Sequence, residues 1–134
     1  MNHLLLAYDG SEPSRRAAAQ AAELARCLGA QVTVLVVGEL VPSGYDAVVP
    51  VSPAEEFERL AEEGAALVRE AGAPAEPRVE WGDPVELIPR TADELGAEPI
   101  VLGHRGRGGL SSLLLGSVAK QVMDHARRSV LVVR

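Results

Sequence analysis

Residues 101–122 read "VLGHRGRGGLSSLLLGSVAKQV". An apolar run enters, an amphipathic run leaves, and five glycines fall between Gly103 and Gly116, with Arg105 and Arg107 among them. A strand that gives way to a glycine loop and then to a helix is one joint of a βαβ unit. The order of elements on either side of it therefore decides the fold class.

Downstream, residues 117–126 predict a helix with Val118, Ala119, Val122 and Ala126 inward, and "SVLVV" predicts a closing strand. Upstream, "HLLLAY" (3–8) reads as a short buried strand. "SEPSRRAAAQAAELARCLG" then carries a helix start at Ser11 before Pro13 and a stop at Gly29, with Ala17, Ala21, Leu24 and Leu28 on one face. "QVTVLVV" (31–37) is β-branched and unbroken, as befits a strand covered on both faces. The segment 38–53, rich in glycine, proline and serine, is expected to be a long loop, either a lid or an insertion without order. A helix follows from Pro53 to Ala71, with Phe57, Leu60, Ala61, Gly64, Leu67, Val68 and Ala71 as its apolar stripe. "PRVEW" is a short strand, and "GDP" opens a further helix with Asp83 as cap and Pro84 in the first position. Pro89 is expected to bend that helix or loosen its first turn. "PIVLG" (99–103) is the strand before the glycine loop.

Five strands thus alternate with four helices. The expectation is an α/β, Rossmann-like three-layer sandwich around a parallel sheet, with ligands beyond the strands' C-terminal ends where strand order reverses. The loops leaving at Asp9, Val37 and Gly103 share that edge. At 134 residues, one domain (1–134) is expected.

Only four residues are Phe, Tyr or Trp, so the core is aliphatic. No apolar run approaches the roughly 18 residues of a membrane span, and the N-terminal run is too short for a signal peptide. A cytoplasmic protein with no membrane partner is expected. The single cysteine, Cys27, sits in an alanine-rich helix and is expected to be a packing residue. A net charge of −6 argues against wrapping nucleic acid. That charge is uneven. Residues 103–134 carry six basic residues and one acid, the first 102 seven basic and eighteen acidic. An anionic ligand held by the C-terminal third fits this asymmetry, although Arg127, Arg128 and Arg134 follow the last helix's start by a long way.

Neither common phosphate signature is present. Gly103 and Gly108 have the P-loop spacing, but Gly109 stands where lysine would be, and "YDGSEPS" lacks GxGxxG. What remains is Gly103-x2-Gly106, nine residues, then Gly116-Ser117 opening a helix. Glycines that take positive φ can turn successive N–H groups into one concavity, and a helix start adds free N–H groups and a positive dipole end. Arg105 and Arg107 could close over an anion there, and Ser117 could offer its hydroxyl. The plainer reading of the same glycines is a surface turn.

The stretch "GHRGRGGLSSLLLGSVAKQVMDHARRSVLVVR" resembles the C-terminal signature of the universal stress protein family, whose ATP-binding branch carries G-x2-G-x9-G-S/T. Gly103, Gly106, Gly116 and Ser117 match it position by position. "LLLAYDGSEPS", "QVTVLVV" and "WGDPVELI" resemble the family's earlier elements, so the similarity runs end to end. The resemblance implies a five-stranded parallel sheet of order 3-2-1-4-5, a homodimer through the last strand, and ATP with Mg or Mn. It implies that Asp9 contacts the ribose, Val37 the adenine, Gly103 and Gly106 the ribose and phosphate path, and Gly116, Ser117 and the Val118 N–H the phosphates. The chain departs from the family at Tyr8, where a small aliphatic residue is frequent, and at Val36, where histidine is frequent.

Asp9 has a plain use as a turn former, and His104 is a conceivable general base but reads as a loop residue. Lys120 reads as solvated surface and Trp81 as strand-end packing. The leading expectation is an ATP-binding stress-response regulator. A slow ATPase or nucleotidyl-transfer enzyme is the alternative, with Asp9, His104 and Ser117 as its candidates. A third is a nucleotide-independent dimeric scaffold using the sheet edge or the 38–53 segment.

Overall fold

The computed structural model describes residues 2–44, 46–50, 53–106 and 115–134. In chain order the elements are β1 (His3–Ala7), α1 (Glu12–Leu28), β2 (Gln31–Gly38), β3 (Leu40–Ser43), β4 (Ala47–Pro50), α2 (Ala54–Glu70), β5 (Ala75–Trp81), α3 (Pro84–Leu95), β6 (Ile100–Gly103), α4 (Ser117–His125) and β7 (Val130–Val133). The main sheet is parallel throughout, in the order β5-β2-β1-β6-β7. Counted along its own strands, that is the expected 3-2-1-4-5. Strand order reverses between β1 and β6, which opens a crevice at their C-terminal ends.

The unbroken apolar runs are there because both faces of the sheet are covered. Leu4, Leu5 and Leu6 are all fully buried. Leu4, Leu6 and Tyr8 pack with α1 and α2, while Leu5 packs with Ile88 of α3 and Val122 of α4. The helix caps are those in the sequence. Ser11 accepts the Ser14 N–H at 3.3 Å, Gly29 closes α1 at φ 64°, and Asp83 accepts the Val85 N–H at 3.0 Å. Helix α3 runs through Pro89 rather than ending there.

The inward face of helix α1 includes Ala17 and Ala21 as expected but is shifted, with Leu28 outside it. Ala17, Ala18, Ala21, Ala22 and Ala25 are buried, Leu24 is half-buried, and Leu28 is exposed. The helix approaches the sheet closely at its first turn. A Cβ on Gly103 would stand 2.7 Å from Pro13 Cβ in the first turn of α1. Cys27 is exposed, which corrects its reading as a packing residue. It lies two residues beyond Ala25 and therefore about 200° around the helix from the buried face.

Helix α2 buries Ala61, Gly64, Ala65 and Val68, with Phe57, Leu60 and Leu67 half-buried. Ala71 is the exposed C-terminal cap and not part of the stripe. Gly64 accommodates Tyr8: a Cβ there would lie 2.9 Å from the tyrosine ring and 2.8 Å from Val34 Cγ1. The bulk added at position 8 is thus matched by bulk absent from α2.

The segment 38–53, expected to be loop, holds the antiparallel hairpin β3–β4. Its prolines and glycines read as breakers, yet Gly44 supplies a left-handed φ of 73° at the turn, and apolar residues flank it on both sides. Trp81 packs at the end of β5 as expected. Its ring lies over Gly38, where a Cβ would meet it at 2.5 Å, and meets Phe57 edge-on at 5.0 Å. Among the described residues no helix is long and apolar enough to cross a membrane.

Candidate functional site

A cavity of about 440 Å³ opens at the C-terminal edge of the sheet, at the crevice between β1 and β6. Asp9, Val37, Gly103, Arg105, Gly106, Gly116, Ser117 and Val118 all line it. Arg107 lies outside the described residues. Topology alone explains the gathering, since β1, β2 and β6 end at this edge and α4 begins there.

Asp9 serves both the turn and the pocket. Its Oδ1 accepts the Ser11 N–H at 2.9 Å, and its own N–H donates to Ser14 Oγ at 3.4 Å. Gly10, at φ 80°, lets the chain double back between them. The other carboxylate oxygen faces Gly106, where a Cβ would stand 2.5 Å from Oδ2. Arg15 fastens the turn to α2, donating from Nε to the Gly10 carbonyl at 3.3 Å and pairing with Glu63 at 2.9 Å.

The described motif glycines are needed for close approach and not for positive φ. Gly103, Gly106 and Gly116 are all absent from the left-handed glycines. A side chain at Gly103 would enter the backbone of α1, 2.8 Å from the Pro13 carbonyl carbon and 2.9 Å from Ser14 N. One at Gly116 would lie 3.0 Å from Arg105 Cα and 3.2 Å from the His104 carbonyl oxygen. The two ends of the glycine loop are pinned together by the Gly116 N–H, which donates to that carbonyl at 2.6 Å. The His104 N–H in turn donates to the Val133 carbonyl at 2.6 Å, fastening the same point to β7.

The polar end of the pocket is the start of α4. Gly116 caps it with extended backbone and no side-chain hydrogen bond. The first intrahelical bond is Lys120 N–H to the Gly116 carbonyl, so the N–H groups of Ser117, Val118 and Ala119 precede it, in residues that line the cavity. Beside them Arg105 Nε is buried with no hydrogen-bond partner among the described residues. Buried guanidinium donors are normally paired. Ala7, Leu35, Ile88 and Leu102 give the lining an aliphatic part, packed in one cluster with Val118 and Ala119 of α4.

Of the other basic residues in the C-terminal third, Arg128 pairs with Asp93 at 2.9 Å and Glu98 at 4.0 Å, away from the site. Lys120 is exposed and outside the lining. His104 is buried at 6% exposure and is not part of the pocket wall. Sequence reasoning missed Ser14, Glu39, Phe57 and Leu60, all of which line the cavity. Phe57 and Leu60 stood on the stripe of α2, and only the packing shows that this stripe overhangs the sheet edge.

Tyr8 also borders the pocket. Burial, followed by the Glu63 carboxylate, pushes its hydroxyl up from 10.0 to about 12. The unfolded chain then releases a proton that the folded chain keeps, so this contribution is fully present below pH 10.0 and lost as pH rises to about 12. Denaturant titrations across that window should show falling stability, with a shallower fall in Tyr8→Phe. An identical slope in the variant would contradict the burial of this hydroxyl.

Comparison across protein families matches residues 1–134 to the Universal stress protein family. The chain belongs to that family. A relative from Thermus aquaticus, the universal stress protein in the QAH/OAS sulfhydrylase 3′ region, is 36% identical over 133 residues, covering 98% of this chain and 97% of that one. A solved universal stress protein in complex with cAMP superposes with a TM-score of 0.76 at 26% identity, over 99% of this chain and 97% of the other. The universal stress protein from Archaeoglobus fulgidus in complex with dAMP gives 0.74 at 27% identity, over 100% and 98%.

Proposed function

We propose that residues 1–134 form a single nucleotide-binding domain of the family's ATP-binding branch, acting as a stress-response regulator. The observation that carries this reading is Arg105 Nε, buried without a partner among the described residues, in a pocket lined also by Gly116 and Ser117 at the start of α4 and by aliphatic side chains. That arrangement suits a flat apolar base at one end and phosphate at the other. Solved family members in complex with cAMP and dAMP support a nucleotide of this class.

In this reading adenine lies against Val37, Asp9 accepts from the ribose, and Gly103 and Gly106 leave room along the path to the phosphates. Gly116, Ser117 and Val118 bind phosphate, with Arg105 and Arg107 closing over it. ATP is the nucleotide proposed, on the full G-x2-G-x9-G-S/T spacing, with Mg or Mn accompanying its phosphates. Binding is favoured over turnover because His104, the conceivable base, is buried outside the pocket wall. The protein is proposed to act in the cytoplasm as a homodimer through β7, an edge strand that exposes Leu131, without nucleic acid or membrane as partner.

A ligand that binds only the folded state raises its stability by mass action, by about 2.7 kcal/mol at a hundred times its Kd. Mg-ATP should therefore raise the melting midpoint in a concentration-dependent way. Arg105→Ala should need roughly tenfold more nucleotide for the same rise, the value of one charge-assisted hydrogen bond. A midpoint indifferent to nucleotide, or equal responses in both proteins, would contradict the assignment.

A further inference from the structure

We propose that the β3–β4 hairpin is a hinged lid that closes an apolar face over the occupied pocket, an inference that rests on the nucleotide reading above. The antiparallel register sets Leu40 opposite Pro50 and Pro42 opposite Val48. Cross-strand partners share a side and alternate residues return to it. Leu40, Pro42, Val48 and Pro50 therefore make one face without a polar side chain. All four are exposed, Val48 by 62%. The hairpin is a two-stranded sheet separate from the main one. Such a hairpin is marginal in water, and an uncovered apolar face on it calls for a partner surface.

Three features point to the pocket as that surface. Residues on both sides of the hairpin line the pocket: Glu39 directly before β3, and Phe57 and Leu60 in the first two turns of α2. The lining there is apolar, since Val36 belongs to the same core cluster as Phe57 and Leu60. Reach is sufficient as well, because a four-residue strand spans about 13 Å, against roughly 9 Å for a sphere of the cavity's volume. Trp81 clamps Gly38 from above, so the end of β2 is fixed and bending begins after it. Strand addition by another chain is disfavoured, since Pro42 and Pro50 each remove a ladder donor.

Closure over bound nucleotide slows its escape and changes the surface that another protein meets. It also gives the pocket an optical reporter, because Trp81 is the only tryptophan and packs on both Gly38 and Phe57 at the hairpin's roots.

The test compares wild type with the double variant Leu40→Asp, Val48→Asp, following Trp81 emission while bound ATP is diluted out. Both residues are exposed, so the ligand-free melting midpoint should not move. Nucleotide should leave the variant about tenfold faster or more, with an association rate within about twofold of wild type. Equal dissociation rates would overturn the lid and leave the nucleotide reading standing. No binding by wild type would overturn both. If the variant instead changes the sedimentation of the ligand-free protein, the face serves a second copy and the lid is overturned.

Discussion

Gly103→Val should lower the melting midpoint of the ligand-free protein by roughly 10 °C, whatever its effect on nucleotide. The Cβ alone would come within 2.9 Å of three atoms in the first turn of α1, two of them backbone. Backbone cannot rotate aside as a long side chain can. Relief means lifting α1 off the sheet, where Ala17, Ala18 and Ala21 are fully buried. Overpacking of this kind costs about 3 kcal/mol, and a domain of this size moves by some 3–4 °C for each. Calorimetry of the purified variant is the check. An unchanged midpoint would mean that Gly103 is kept open for ligand alone.

Gly106→Val should behave in the opposite way, losing nucleotide affinity by about a hundredfold or more while the ligand-free midpoint moves by no more than about 2 °C. The atom it would strike is Asp9 Oδ2, at 2.5 Å, which can swing away without disturbing the core. That movement takes from the pocket the carboxylate proposed to hold the ribose. Equilibrium binding and melting on the same preparation separate the two outcomes. Undiminished affinity would remove Asp9 and Gly106 from the site. The two variants together ask whether one glycine motif does two jobs, packing at its first position and ligand clearance at its second.

That division was not legible in the chain. Glycine at 103, 106 and 116 signals a backbone that tolerates no side chain, but sequence does not say whether conformation or proximity forbids it. Proximity is the reason at all three. The fold itself was legible, because β1, β2 and β6 are unbroken apolar runs and Ser11, Gly29 and Asp83 sit where helices must begin or end. The inward face of α1 was legible in part: Ala17, Ala21 and Leu24 lie on it, while Leu28 is exposed and Ala18, Ala22 and Ala25 complete it. Cys27 was misread because it lies about 200° around the helix from buried Ala25. The hairpin was hidden by Pro42, Pro50 and Gly44, breakers in most contexts but tolerated in a two-stranded ribbon that lies outside the main sheet. Within the pocket, sequence spacing picked out Gly103, Gly106, Gly116 and Ser117, all of which line the cavity. The overhanging wall of Phe57 and Leu60 depended on how α2 crosses the strand ends, which no local pattern encodes.

The central claim is that this pocket holds a nucleotide through the start of α4. Isothermal titration of nucleotide-stripped protein with Mg-ATP tests it most directly, with Gly116→Val alongside. The account predicts saturable, micromolar binding of one nucleotide per chain, lost in the variant whose side chain would meet Arg105 and His104. No heat of binding by the wild-type chain, or equal binding by both proteins, would contradict it.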